Sequence, residues 1–452
     1  MSSGNRIGRA VRAGLLLACC SGLPAIASAG WVQQAKLLPD PVPNAYHGLF
    51  GRSVSLSGDT AIVSGDCIED GETYGVAHVF RRSGSGWNQV TRFAPDDNDD
   101  DWFGISVSVF GNTAVVGAPR DADHGQNAGA AYVYRDSGSG WTRMAKLTPD
   151  DAASYDGFGW DVSISGNTIA VAASKTYYSG KDEHDGSVYV FEESDSTWTQ
   201  TAKLLPDPLI YGNGFGWSIS LSDNTLAVGH PLPDADAEKA SADHNKGSST
   251  SHAYIYNRKD LEWTLTDTLT PEVFNPNVMR FGFGTDVSIS DDAVIVGESC
   301  FGVGGWPGLL SATIFQRDLD GWTRARTWEP DSDLSTLGAH MAIDGDTAVI
   351  GGAELGYVLQ NGPTGWVEVA ELQPAESPNR GFFGGVALDD DTLLLGSIWD
   401  IASGTYSGAA YVFTVPEPAA CSLLAIAGLT LLLCRWRWTR GPRAVIGSGD
   451  NR

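Results

Sequence analysis

Seven times in this chain a tryptophan opens the same phrase, at Trp31, Trp87, Trp141, Trp198, Trp263, Trp322 and Trp366, a period of about 56 residues. A fixed period constrains the fold tightly. Each copy must adopt one structure and hide its apolar face against its neighbours. After each tryptophan comes a short alternating run that ends near a proline, as in Trp141 to Pro149, Trp198 to Pro206 and Trp366 to Pro374. Then a Phe-Gly pair appears: Phe50-Gly51, Phe103-Gly104, Phe158-Gly159, Phe215-Gly216, Phe283-Gly284 and Phe383-Gly384, with Leu337-Gly338 in the sixth copy.

Each pair leads a segment such as Ile105-Ser106-Val107-Ser108-Val109, whose period of two predicts a half-buried strand. The pairs Gly58-Asp59, Gly111-Asn112, Gly166-Asn167, Asp223-Asn224, Asp291-Asp292, Gly345-Asp346 and Asp390-Asp391 follow. Such residues tolerate the positive φ that two-residue hairpin loops demand. A second strand comes at once, as in Thr113 to Gly117. A third ends in aromatics, for example Tyr132-Val133-Tyr134 and Tyr411-Val412-Phe413.

Each unit therefore supplies four strands, and one four-stranded sheet cannot cover both of its own faces. Seven sheets packed around an axis can, which predicts an all-β, seven-bladed β-propeller over residues 30–414. The chain begins with a tryptophan strand and ends with the aromatic strand of the seventh unit. Trp31 to Leu38 is thus expected to complete the last blade and remove an open sheet edge. A pair of smaller sandwiches would leave the sevenfold self-similarity without a cause.

Phe103-Gly104 followed by Gly117-Ala118-Pro119 resembles the FG-GAP signature of integrin α-chain propellers and bacterial surface proteins. The resemblance runs over nearly all of residues 31–413 and implies the same propeller. It leaves function open, since propellers host adhesion, glycan binding and catalysis alike. Integrin-type repeats carry a calcium loop between the Phe-Gly and Gly-Ala-Pro strands. Here that link is a Ser-Gly-Asn-Thr turn or similar, too short to supply six to eight oxygens. No cofactor is expected, with calcium at the acidic loops (Asp96 to Asp101, Asp121-x-Asp123, Asp182 to Asp185, Asp234-x-Asp236) as the alternative.

The two ends read as addresses. Arg6, Arg9 and Arg12, an apolar stretch from Ala13 to Cys20 and the site Ala27-Ser28-Ala29 predict a signal peptide over residues 1–29. Leu16-Leu17-Ala18-Cys19 offers a lipoprotein-like alternative, and a buried first helix another. At the other end, Pro416-Glu417-Pro418 precedes an uncharged run from Ala419 to Cys434, then Arg435, Arg437, Arg440 and Arg443. The run predicts a membrane-spanning helix with its arginines in the cytoplasm. The whole 415–452 segment resembles the PEP-CTERM sorting tail, which implies recognition by an exosortase and cleavage near the tripeptide. The extra residues Ala444 to Arg452 depart from that pattern, and a plain single-span anchor is the alternative. Export and a cell-surface or extracellular destination follow from either reading.

Charge and cysteines fit that destination. The ends hold eight of the 29 basic residues and two of the 55 acidic ones, so residues 30–414 carry 21 against 53, a net −32. Such a surface repels phosphate backbones and excludes nucleic acid as a partner. Only Cys67 and Cys300 lie outside the ends, in units that are not ring neighbours, and both are expected as free thiols.

No catalytic set is visible in the sequence. The histidines show no zinc spacing, and His230 and His340 occupy core-like positions as packing variants. The repeated tryptophans are expected to pack between blades rather than stack on sugars. The expected function is a non-enzymatic surface or matrix protein that binds through loops on one face. Its expected partner is an exopolysaccharide or a surface protein, the former implied by the PEP-CTERM resemblance. The longest loop, Pro231 to Ser251, is the first candidate for recognition. A glycan-active enzyme, with acids converging at the pore from different blades, and a purely structural coat protein are the alternatives.

Overall fold

The computed structural model describes residues 30–415 apart from 42–44, 70–71, 96–100, 175–185, 207–213, 232–250, 272–281, 302–306, 330–335, 338–339, 353–354, 376–383 and 403–404. The signal peptide, Pro416-Glu417-Pro418 and the run from Ala419 to Cys434 lie outside the described residues. No helix among those described is long and apolar enough to cross a membrane.

Residues Val32–Thr414 form one unit of seven antiparallel sheets. The first strand of each blade stands innermost: Val54–Ser57, Val107–Phe110, Phe158–Ser165, Ile219–Ser222, Phe283–Ser290, Met341–Asp344 and Val386–Asp389. Each touches the next around a closed ring and together they line a central channel. The tight turns behave as their residues require. Gly58, Gly111, Gly166, Asp223, Asp291, Gly345 and Asp390 all have φ between 48° and 59°.

The outermost strand of each blade is the tryptophan strand, so the repeat and the blade are offset by one strand. The ring closes as expected. Val32–Leu37 pairs antiparallel with Ala409–Thr414, from Val32 opposite Thr414 to Leu37 opposite Ala410. Leu37 is buried in the seam against the first blade, with Phe50 and Val412. Lys36 Nζ reaches Asp400 Oδ1 at 2.8 Å, and Asp400 Oδ2 accepts the Tyr411 hydroxyl. The same Tyr-Lys-Asp triad recurs as Tyr132-Lys146-Asp121 and Tyr189-Lys203-Asp151. It explains the lysine of the Ala-Lys-Leu strands.

The core lies between blades. Apolar side chains of neighbouring sheets interlock, and Trp87, Trp141, Trp198, Trp263, Trp322 and Trp366 pack against these layers. The Phe-Gly pair forms the seam. Phe50, Phe103, Phe158, Phe215 and Phe283 are essentially fully buried. The glycine after each has φ between 79° and 97°, a region closed to side chains. Its carbonyl presses on the preceding blade so closely that a Cβ on Gly117 would overlap the oxygen of Gly159, and one on Gly229 that of Gly284. Both halves of the signature thus meet across a blade boundary.

The sixth unit differs. Leu337 belongs to a short strand, Thr336–Leu337, that pairs with Gly308 and Leu309 of the fifth blade. Gly338 and Phe383 lie outside the described residues.

Candidate functional site at the channel mouth

An innermost strand has no further strand beside it, so half of its backbone N–H groups need another acceptor. The alternating serines supply one. In the first five blades most of the alternating residues that face the channel are serines, and their hydroxyls accept from the inner strand of the following blade. Val107 N–H donates to Ser53 Oγ at 3.1 Å, Val109 to Ser55 at 2.9 Å and Gly111 to Ser57 at 3.0 Å. The pattern repeats with Ile164 to Ser108, Leu221 to Ser163 and Ile289 to Ser220. Tiers of side chains therefore tie the first six blades together, and Asp344 and Asp389 continue the lowest tier to the seventh and back to the first.

The uppermost tier lies where the Phe-Gly segments enter. It reads Ser53, Ser106, Asp161, Ser218, Asp286, His340 and Gly385 around the ring. The aspartates keep the belt intact, since Ile219 N–H donates to Asp161 Oδ2 at 2.7 Å and Met341 N–H to Asp286 Oδ2 at 2.6 Å. Their other oxygens take the hydroxyls of the preceding blade. Ser106 donates to Asp161 Oδ1 at 2.6 Å, and Ser218 to Asp286 Oδ1 at 3.1 Å. His340 Nδ1 stands 3.9 Å from Asp286 Oδ2.

These carboxyls face a confined channel of about 580 Å³ instead of bulk water. Enclosure disfavours the charged form and raises Asp161 to about 6 and Asp286 to about 7, with their mutual repulsion adding to the rise at Asp161. His340 keeps half of its side-chain surface exposed, but only to this channel. Its enclosure lowers its pKa against the opposing pull of Asp161.

Above this tier stands an arc of indoles. Trp160 and Trp217 occupy the rim positions of the third and fourth blades, directly before Asp161 and Ser218. Trp102, held at φ 53° before Phe103, adds a third ring from the second blade. Ring centroids lie 6.5 Å apart between Trp102 and Trp160, and 5.1 Å between Trp160 and Trp217. Trp160 Nε1 donates to the Trp217 carbonyl at 3.1 Å, and the Arg120 guanidinium covers one face of Trp102 at 3.7 Å. A side pocket of about 300 Å³ beside Trp102 shares Arg52 and Ile105 with the channel, and Arg52 is paired with Asp66 at 3.1 Å. All three rings are partly exposed and oriented by packing.

The remaining sequence candidates distribute as follows. Phe103, Gly104, Gly117, Ala118 and Pro119 sit in the second blade, where Gly104 N–H donates to the Gly117 carbonyl at 2.8 Å. Their role is the seam. Asp121 and Asp123 both engage Lys146, at 2.6 and 2.5 Å, so this acidic pair is spent on an ion pair. Asp96 to Asp100, Asp182 to Asp185, Asp234 and Asp236 lie outside the described residues, as does 232–250 of the longest loop. That loop springs from paired strands whose last residues, His230 and His252, face each other at the mouth end of the fourth blade. His230 is buried beside Phe215 and Tyr254 as a packing variant. His340 is not; it faces the channel, because its place in the repeat is that of a tier serine. Cys67 is a buried free thiol, and the Cys300 side chain lies outside the described residues.

The reading of tryptophans as packing residues holds for the strand-opening series and misses Trp102, Trp160 and Trp217. Aligning the units on Phe-Gly would have isolated them, since Trp160 and Trp217 stand where other copies carry Arg52, Ile105 or Thr285.

No curated protein matches the chain. Among solved structures it is similar to the Pan2 WD40 domain of Neurospora crassa, at 12% identity and TM-score 0.49 over 86% of this chain and 97% of that one. Sqt1 from Chaetomium thermophilum gives 12% and 0.42 over 83% and 97%, and a protein from Lactobacillus plantarum 11% and 0.42 over 71% and 84%. The FG-GAP repeat family matches residues 31–80, 87–134, 141–191, 198–256 and 366–413. Each matched stretch runs from a tryptophan strand to an aromatic strand and so spans a blade boundary. Together they cover more than half of the chain, which belongs to the FG-GAP repeat family.

Proposed function

We propose that this protein is an exported, non-enzymatic binding propeller that holds an extracellular polysaccharide at the mouth of its channel. The indole arc of Trp102, Trp160 and Trp217 carries the reading. Three partly exposed aromatic rings, locked in orientation on one face, are the surface on which sugar rings stack, and few other ligands need it. The longest loop leaves the scaffold at the same end, where it would extend the contact. In this reading residues 1–29 direct export. The 415–452 segment anchors the chain by the Ala419 to Cys434 helix until an exosortase-type enzyme cuts near Pro416-Glu417-Pro418. Mass spectrometry of surface protein is expected to find an N-terminus near Gly30 and no residues beyond Pro418. Recovery of the intact arginine-rich end would favour a plain anchor.

One observation favours a second reading, a glycan-cleaving enzyme. Burial raises the proton affinity of Asp161 and Asp286 above that of an ordinary carboxyl, the direction a general acid needs. Incubating the closed ring, residues 30–414, with polysaccharide purified from the producing cells separates the two. Retention of intact polymer is expected. Shortened chains would establish catalysis, and neither outcome would leave a coat role.

A further inference from the structure

We propose that the channel mouth selects amino-sugar polymers bearing free, protonated amines, the sugar ring stacking on the indole arc while the amine meets the carboxylates of Asp161 and Asp286. This rests on the glycan-binding reading and names the chemistry that reading leaves open. The starting observation is an excess of function at two positions. At this tier Ser53, Ser106 and Ser218 offer the following blade an acceptor with a hydroxyl alone. Asp161 and Asp286 do the same task with one oxygen, take the hydroxyl of Ser106 or Ser218 with the other, and bring a carboxyl group's charge that a serine at this position would not. Enclosing a carboxylate costs stability, so these two residues oppose the fold they sit in.

Placement gives the charge a use. Asp161 follows Trp160 directly in sequence, at the head of the third inner strand, so the acid stands one residue inside the aromatic rim. Both carboxyls line the channel, and each is held in place by a serine hydroxyl and a backbone N–H. The cations near them are already committed or weak: Arg52 pairs with Asp66, and His340 is held toward its neutral form. With a net −32 on residues 30–414, an anionic polymer is repelled from this mouth and a cationic one is drawn in. Indoles also favour a cation held over their faces.

The test measures binding of residues 30–414 to three tetrasaccharides of one linkage at pH 7: fully deacetylated glucosamine, its N-acetylated counterpart, and glucose. A short lysine peptide serves as a cationic control without sugar rings. The deacetylated oligomer is expected to bind at least tenfold more tightly than the other two, with an affinity that falls as salt rises. Asp161→Ser with Asp286→Ser restores the residue that other blades carry, so the ring is expected to fold, and the preference for the free amine is expected to vanish. Trp160→Ala should weaken all three sugars. Equal affinity for the three, or no salt dependence, would overturn the amine assignment and leave glycan binding standing. So would retention of the cells' own polysaccharide with no binding of any tetrasaccharide. A lysine peptide bound as tightly as the deacetylated oligomer and unaffected by Trp160→Ala would overturn both readings.

Discussion

The seams between blades and the mouth of the channel are made by the same strands, yet they use the repeat in opposite ways. Along the seams most units place the same residue at the same point, with Leu337 of the sixth unit as a departure. A phenylalanine fills the gap, a glycine with positive φ follows it, and a second glycine in the preceding blade leaves room for its carbonyl. At the mouth the units diverge. Serine gives way to Asp161, Asp286 and His340, and the rim carries Trp160 and Trp217 in two consecutive blades only. Positions under one shared packing constraint stay uniform, whereas positions that face the channel are free to differ. In a ring of near-identical blades, asymmetry is therefore the mark of a site.

Substitutions at the two regions should have correspondingly different consequences. The largest effect is expected from removing Val32–Leu37. The last blade would keep three strands and expose the edge of Ala409–Thr414 and the seam that Leu37 fills. Size-exclusion chromatography is expected to show aggregation in place of a monomer, as for an uncovered hydrophobic edge. Gly117→Ala comes next. Its Cβ would collide with the Gly159 carbonyl, and an overpacked seam should lose about 3 kcal/mol in denaturant unfolding. Asp286→Ser should act in the other direction. The unfolded chain loses this proton near pH 4, while the folded chain holds it to about 7, so folded protein loses stability as pH rises between those values and stays low above them. Serine at this position should flatten that decline and add on the order of 2 kcal/mol at pH 8, against no gain at pH 4. The smallest effect is expected from Ser163→Ala, which leaves the Leu221 N–H without its acceptor and should cost about 1 kcal/mol. If Ser163→Ala proved as damaging as Gly117→Ala, the tiers and not the seams would be what holds the ring.

The comparison also explains what could be read from the chain alone. Phe103-Gly104, the Gly111-Asn112 turn and the strand after it recur with little change, and each has a local physical cause, so strand order, blade count and the closing strand followed from the sequence. The alternating serines were visible as one face of a strand. Their role was not, because Ser53 acts on Val107 of the next blade, a partner 54 residues away. Asp161 and Asp286 likewise lie in different units with no spacing to join them, and only the closed ring brings both to one tier. His340 looked like a core residue because Leu337-Gly338 obscures the register of the sixth unit.

The most direct test of the mouth as the binding site is calorimetric titration of the cells' purified polysaccharide into two variants, Trp160→Ala and Trp141→Ala, beside the unaltered ring. Trp141 packs on Phe93 in a seam, with ring centroids 5.6 Å apart, whereas Trp160 stands in the arc. Trp141→Ala is expected to lower the melting temperature, for a loss of about 3 kcal/mol, and to bind with unchanged affinity while folded. Trp160→Ala is expected to melt near the unaltered protein and to lose at least tenfold in affinity. Unchanged binding by a folded Trp160→Ala ring would contradict the assignment of the mouth as the site.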